Sequence, residues 1–376
     1  IFLFISELSG EGKTMSNTYG SKLRLSVFGA SHAPFIGAAM QSLPKGYKID
    51  FEELCRFTAR RAPGRNALST PRKEADIPVF ISGVSGDRLT GEPLEIRINN
   101  TDTRSSDYSQ YNDTPRPGHA DFCARVKYGS GYDVAGGGAF SGRMTAPLCC
   151  AGGIALQLLR TKGIRIGAHI ASAAGIEDKA FDPVRVSART FTSVAAKDFP
   201  VTDNAAGEKM QAAILSAKAD GDSVGGIIEC AALGLPVGLG GPLFDGMEGR
   251  ISQIVFAVPA VKGIEFGAGF EVAGMRGSED NDPFCIEKGR VRTASNNHGG
   301  ILGGITSGMP LIFRCAVKPT PTIAKEQESV SLSRMEPAAV RGRGRHDPCI
   351  VQRAVPVIEA AAALAILDVM LEEGKF

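Results

Sequence analysis

Residues Val357–Leu371 read as a helix that is apolar on nearly every face, broken only by Glu359 and Asp368. Pro356 suits the first turn of such a helix and Gly374 its C-terminal cap. A helix without a polar stripe must be covered on all sides, either between layers of secondary structure or in a subunit interface. Its helical apolar stretch, Ala360–Leu367, falls far short of the ~20 residues that a membrane span needs.

Several other elements are legible. Leu23–Phe28 is a short strand leading into Gly29-Ala30-Ser31-His32. Asp50, with Glu53 three residues on, begins a helix that Pro63-Gly64 ends, with Arg56 and Arg60 on one face and Arg61 beside them. Residues 76–99 form a hairpin of Ile77–Val84 and Leu94–Ile98. Residues 100–145 are loop-rich and dense in glycine, a length that points to function. Met144–Thr161 is a helix with Pro147 in its first turn, Ala205–Ala219 an amphipathic helix, and Val224–Ala231 a strand. The heptad Lys162–Ala168 recurs as Lys262–Ala268 with five of seven residues identical, as a duplicated helix-to-strand unit would give.

Composition narrows the function. Glycine supplies 46 of 376 residues, without a collagen period, in a chain whose 43% hydrophobic content allows a substantial core. The 42 basic residues nearly balance the 40 acidic ones, which argues against wholesale nucleic-acid or membrane-surface binding. Arginine outnumbers lysine 26 to 16, however, and its planar fork suits carboxylate and phosphate. The cysteines show no CxxC and no clustering with histidine, and Cys149-Cys150 reads as core, so neither a metal site nor a disulfide framework is expected. Residues 1–14 are expected to be an upstream extension with Met15 as the start, and the chain to be cytoplasmic.

Three of the five histidines lie in glycine-rich turns: His32, His119 in Arg116-Pro117-Gly118-His119-Ala120-Asp121, and His346 in Gly344-Arg345-His346-Asp347. Two of them adjoin Arg and Asp, which favours acid–base work, since histidine titrates near neutrality. His298 lies in Asn297-His298-Gly299-Gly300, and His169 in an apolar strand, where a structural role is expected. Gly136–Arg143 brings backbone amides, a hydroxyl and a guanidinium together, as a phosphate cradle requires, and Asn297–Gly304 is a second such run. Neither follows the GxGxxG pattern of a dinucleotide site. Arg341–Arg345 has the look of an RNA-binding Arg-Gly tract, but it is short and unrepeated.

Taken together and in order, Phe28–His32, Arg116–Asp121, Gly136–Arg143, Asn297–Gly304, Lys318-Pro319-Thr320-Pro321-Thr322 and Gly344–Cys349 closely resemble the chorismate synthase family, from about Thr18 to the C-terminus. The resemblance implies a lyase that eliminates phosphate, in an anti-1,4 sense, from 5-enolpyruvylshikimate 3-phosphate to give chorismate at the end of the shikimate pathway. It implies reduced FMN as cofactor, with NADP named beside it, and a flavin reductase or other external supply of reduced flavin. The implied fold is α+β, a β-α-β sandwich with helices between antiparallel sheets, in one pseudo-symmetric domain over residues 15–376 that assembles as a homotetramer. No metal, nucleic-acid or membrane partner is implied.

Residue by residue, the resemblance implies His32 and His119 as the catalytic histidines, with Ser31 and Asp347 assisting proton movement. Arg61, Arg116, Arg143 and Arg345 are implied to bind the substrate. Ser141, Pro259, Ala260, Gly303, Lys318, Pro319, Thr320, Pro321, Thr322 and Arg345 are implied to bind FMN, Lys318 as phosphate partner. The chain departs from the family where Ala30 and Ala33 stand for the Glu and the last Gly of Gly-Glu-Ser-His-Gly, where Ala139 stands for arginine or histidine, and where Ala67 stands near an expected basic residue that Arg65 or Arg72 would replace.

Overall fold

The computed structural model describes residues 17–70, 74–101, 105–129, 132, 135–342 and 346–376. Residues 1–14, Met15, Arg72, Arg343 and Arg345, which carried expectations above, lie outside the described residues. The first sheet holds β1 (Thr18–Tyr19), β2 (Leu25–Gly29), β3 (Phe35–Met40), β4 (Val79–Ser82) and β5 (Leu94–Asn99), in the order β1-β2-β3-β5-β4 with antiparallel pairing throughout. The expected 76–99 hairpin is its β4–β5 pair.

Between β3 and β4 lies α1 (Phe51–Arg61), whose first turn is closed by the Asp50 side chain accepting from the Glu53 amide at 2.8 Å. Then come α2 (Asp121–Tyr128) within the loop-rich segment and α3 (Thr145–Thr161), with Pro147 in its first turn. The second sheet holds β6 (Arg165–Ala173), β7 (Ile176–Glu177), β8 (Gly226–Leu233), β9 (Val261–Phe266) and β10 (Leu311–Val317), in the order β9-β10-β8-β6-β7, again antiparallel. The remaining principal helices are α4 (Ala188–Ala195), α5 (Asn204–Ala219), α6 (Met247–Phe256) and α7 (Val351–Glu372).

The two copies of the repeated heptad both follow a helix and feed the second sheet, α3 into β6 and α6 into β9. They do so differently: Lys162 lies in the turn, where Gly163 has φ +81°, whereas Lys262 and Gly263 are already in strand.

Helices fill the space between the sheets. α3 packs on β3 and β5 of the first sheet, α7 on β6 and β8 of the second, and the two helices pack on each other, with α1 and α6 flanking them. This is the expected β-α-β sandwich, and the apolar helix is covered within the fold itself. Every residue of Val351–Met370 except Arg353 is buried.

α7 departs from its expected start. It begins at Val351, so Pro356 lies inside the helix rather than in its first turn. Proline there removes the donor to the carbonyl four residues back. The burial of Val351, Ala354 and Val355 on the same core extends the helix past this break. At 22 residues and mean hydropathy 2.1, α7 is long and apolar enough to cross a membrane, but 89% of its apolar window is buried inside the protein.

The close approach of α3 and α7 needs glycine. A Cβ on Gly152 would overlap the Ala360 methyl and lie 2.5 Å from Ala360 Cα. A Cβ on Gly153, facing α1, would lie 2.6 Å from Leu54 Cδ1. The two charges of α7 join the layers. Glu359 accepts a two-pronged pair from Arg60 of α1, at 2.5 and 3.0 Å, and the Ala168 amide of β6 at 3.0 Å. Burial acts to lower the Arg60 pKa, but Glu359 outweighs it and holds the guanidinium charged. Asp368 accepts the amides of Ser21, Lys22 and Leu23, at 2.9, 2.9 and 2.7 Å, and so closes the β1–β2 turn.

Two stability predictions follow from this packing. Gly152→Ala will destabilise the protein by about 3 kcal/mol, because two helix backbones must separate. Asp368→Ala will cost about 2–4 kcal/mol, because it strips a buried cluster of amides of its acceptor. Denaturant unfolding with the m-value monitored measures both, and a loss below about 0.5 kcal/mol would contradict either assignment.

Candidate active site

Three consecutive glycines shape the site. Gly136, Gly137 and Gly138 have φ of 60°, 85° and 52°, a run of left-handed backbone that other residues rarely adopt. Ser31, in the turn after β2, clamps this run from one side: its amide donates to the Gly138 carbonyl at 3.4 Å and its hydroxyl to the Ala135 carbonyl at 3.2 Å. A Cβ on Gly136 would lie 2.6 Å from His32 Nε2 and 2.5 Å from Ser31 Oγ. A Cβ on Gly137 would lie 3.2 Å from His119 Nε2. The two histidines therefore aim their Nε2 atoms at adjacent residues, whose Cα atoms are about 3.8 Å apart across one peptide unit.

His119 is held from behind. Its Nδ1 lies 2.7 Å from Asp121 Oδ1, at the start of α2. The same carboxylate accepts from Arg116 Nε and Nη2, both at 2.7 Å, and from the Arg116 amide at 3.0 Å. Burial alone would raise the Asp121 pKa, but hydrogen bonds from Arg116 and His119 hold it well below the usual carboxylate range. Tyr108 and Tyr111 form the wall: the Arg116 guanidinium lies 4.5 Å from the Tyr111 ring centre, and Tyr108 meets the His32 ring edge-on at 5.3 Å.

The Lys318–Thr322 segment closes on the same turn. Lys318 Nζ donates to the Gly118 carbonyl, Pro321 abuts Gly118, and Thr322 Oγ1 accepts from Arg116 Nη1 at 3.3 Å. Burial, with Lys262 nearby, pushes the Lys318 pKa down. The Lys318 amide donates to the Ala260 carbonyl at 2.9 Å, which brings the Pro259-Ala260 turn alongside. Thr320 Oγ1 is buried and has no partner among the described residues. Ser141 caps the segment entering α3, accepting from the Arg143 amide at 3.3 Å, and its Cβ would lie 3.6 Å from a Cβ on Gly137.

The other arginines are occupied by carboxylates. Asp76 bridges Arg61 and Arg143, accepting from a terminal nitrogen of each. Arg61 also donates to Thr145 Oγ1 at 3.1 Å, and Arg143 to Asn100 Oδ1 at 3.0 Å, with Glu74 3.5 Å away. Burial would raise the Asp76 pKa, but the two guanidinium groups bring it down. Asp347 accepts from the Thr70 amide at 2.8 Å and from Arg353 of α7 at 2.5 Å, and Arg353 also donates to the Arg61 carbonyl at 2.9 Å. Asp76, Arg353, Tyr108 and Tyr111 were not singled out from the sequence; the Tyr108/Tyr111 spacing was the one available signal.

Other residues lie elsewhere. Gly303 sits in the Ile301–Thr306 hairpin, whose hydrogen-bond partners include Gly238, Leu239 and Met247. His298 takes Asp282 as partner of its amide at 3.1 Å and has Asp280 at 4.0 Å. Arg65 pairs with the exposed Asp198 at 3.0 Å. Arg341 closes a hairpin of Glu326–Ser331 and Glu336–Arg341. Cys149 and Cys150 are buried core residues of α3.

His169 has the structural role expected of it. Fully buried in β6, it lies 2.8 Å from both Asp178 and Glu229. Burial acts to lower its pKa, but hydrogen bonds to the two carboxylates outweigh it and raise it. Asp178 is lowered: burial opposes the shift, and the bond to His169 and the Thr202 and Asp203 amides outweigh it.

The family model for chorismate synthase matches residues 23–371. The chain is similar to the chorismate synthase of Lancefieldella parvula, at 45% identity over 95% of this chain and 96% of that one. It is 44% identical to the enzyme so named from Dehalococcoides mccartyi, over 96% and 98% of the two chains, and 43% identical to that of Korarchaeum cryptofilum, over 93% and 96%. A crystal structure of chorismate synthase superposes with a TM-score of 0.74 at 27% identity, covering 94% of this chain and 93% of that one.

The His169 cluster makes stability depend on pH in a definite window. The raised histidine contributes fully below its ordinary value of 6.5 and ceases to contribute as pH rises through its folded value. The lowered Asp178 contributes fully above its ordinary 3.8 and is lost as pH falls through its folded value. The stability difference between wild type and His169→Gln, measured by urea unfolding, will therefore be largest between about pH 4 and 6.5 and shrink on either side. A difference constant from pH 4 to pH 9 would contradict this.

Proposed function

The chain belongs to the chorismate synthase family, which carries out the last step of the shikimate pathway, and we propose how its own residues perform that reaction. The enzyme is a lyase that removes phosphate from 5-enolpyruvylshikimate 3-phosphate by anti-1,4-elimination to give chorismate. The observation that carries the proposal is the convergence of His32 Nε2 and His119 Nε2 on adjacent, side-chain-free residues. Two proton transfers are needed, one to the departing phosphate and one near the flavin, and the two histidines divide them. Ser31 fixes the turn that bears His32, and Asp347, held by Arg353, assists proton movement from the α7 side.

Reduced FMN, held by the residues below, would supply electron density as phosphate leaves and help in removal of the C6 hydrogen. The residues present suit such a nucleotide: Lys318 offers an ammonium, Thr320 a buried hydroxyl without a partner among the described residues, and Ser141, Pro259, Ala260, Pro319, Pro321 and Thr322 frame them. Gly303 and Arg345 complete the proposed flavin set. Arg61, Arg116, Arg143 and Arg345 are proposed to supply the positive field for the substrate. For the first three that field is set behind the site, because each already pairs with a buried carboxylate.

We read residues 15–376 as one catalytic domain. One hydrophobic core running through both sheets and α7 supports this. A homotetramer is supported by exposed apolar side chains such as Leu243, Phe244, Phe270 and Ile286, which in an isolated monomer would face water. A cytoplasmic enzyme receiving reduced flavin from outside completes the reading.

The test is an anaerobic assay with dithionite-reduced FMN that follows chorismate and phosphate together. Product is expected only with reduced flavin. His119→Ala should lower kcat by roughly 10²–10⁴-fold, and wild-type turnover in that variant would remove His119 from the mechanism. Lys318→Ala should weaken FMN binding by about 10–100-fold in a fluorescence titration, the scale of a charge-assisted hydrogen bond.

A further inference from the structure

We propose that Asp121 is a positioning residue that determines which ring nitrogen of His119 carries the proton and thereby turns Nε2 toward the Gly136–Gly138 run. The proposal rests on reading His119 as an acid–base group. An aspartate at the first position of a helix is favourable there through the helix dipole alone. Asp121 instead turns both oxygens back over the preceding turn and is almost fully buried, at 3% exposure. Oδ2 accepts the Arg116 amide and Nε, and Oδ1 accepts Arg116 Nη2 and faces His119 Nδ1.

This arrangement leaves the ring one choice. An ionised carboxylate can only accept, so the nitrogen 2.7 Å from Oδ1 must donate. Arg116 Nη2 lies 3.2 Å from the same Nδ1, but accepting from it would turn the nitrogen lone pair against the Oδ1 lone pair. Nδ1 therefore bears the hydrogen, and the exchangeable position is Nε2, on the side of Gly137. The guanidinium serves the same end. Its fork keeps the carboxylate ionised and in plane, while Tyr111 and Thr322 hold the fork itself. Among the described residues, the charged groups around the ring are Asp121 and Arg116 behind it and Lys318 at the Gly118 carbonyl, with His32 against Gly136.

Two-bond ¹H–¹⁵N spectra of histidine-labelled protein distinguish the tautomers, and His119→Ala assigns the signal. In the wild type the neutral His119 ring is expected as the Nδ1–H form, and an Nε2–H form would overturn the proposal whether or not any variant folds. Asp121→Asn, which can offer an amide hydrogen to the ring, should shift His119 toward Nε2–H. It should also lower kcat by roughly 10²–10⁴-fold while KM for the substrate stays within about threefold, a split that a general loss of structure would not give. Asp121→Glu should recover part of the kcat and the Nδ1–H form. An unchanged tautomer in Asp121→Asn, or a changed tautomer with unchanged kcat, would overturn the proposal. Full turnover in His119→Ala would instead remove the acid–base reading, while the wild-type tautomer would still decide whether Asp121 orients the ring.

Discussion

The contact between α3 and α7 at Gly152 and Ala360 is what the rest of the molecule is arranged around. Because α7 has no polar stripe, the second sheet and three other helices are needed to cover it, and its own carboxylates anchor that covering. Glu359 joins α1 and β6 to the helix, and Asp368 fixes the turn that starts the first sheet. A buried charge is favourable only when its partners are in place. Each carboxylate therefore also specifies register: α7 cannot slide a turn without leaving one of them without donors.

The same logic governs the site. Arg61 and Arg143 share Asp76, Arg116 holds Asp121, and Arg353 holds Asp347, so each of these cations has a carboxylate behind it. The arginine excess therefore builds a rigid frame first. Lys318 instead donates to a carbonyl, and burial has already lowered its pKa. Substrate and cofactor anions would enter a frame whose side chains are fixed beforehand, with little reorganisation left to make.

Much of this was legible in the sequence, and the reasons differ by element. The Asp50/Glu53 start of α1, the Pro147 entry to α3 and the buried nature of α7 follow from local chemistry: a cap, a fixed φ and an all-apolar face. Strand ends shifted by about two residues, as local pattern alone allows. Pro356 misled because proline marks helix starts only on average, and here long-range burial carried the helix past it. The motif histidines were legible because turns of glycine and proline are specified locally. The roles of Asp76 and Arg353 were not, because each exists only through residues far away in the chain.

The run Gly136–Gly138 has a consequence for how this sequence can change over time. At Gly136 a side chain meets both a left-handed backbone that it rarely adopts and the His32 ring itself. No other turn residue can compensate, since even Asn and Asp, which tolerate left-handed backbone singly, would bring atoms into the space between the histidines. Gly136 is thus closed to stepwise variation while the His32 ring stays where it is. A descendant that had acquired a larger residue at Gly136 would have had to move His32 as well.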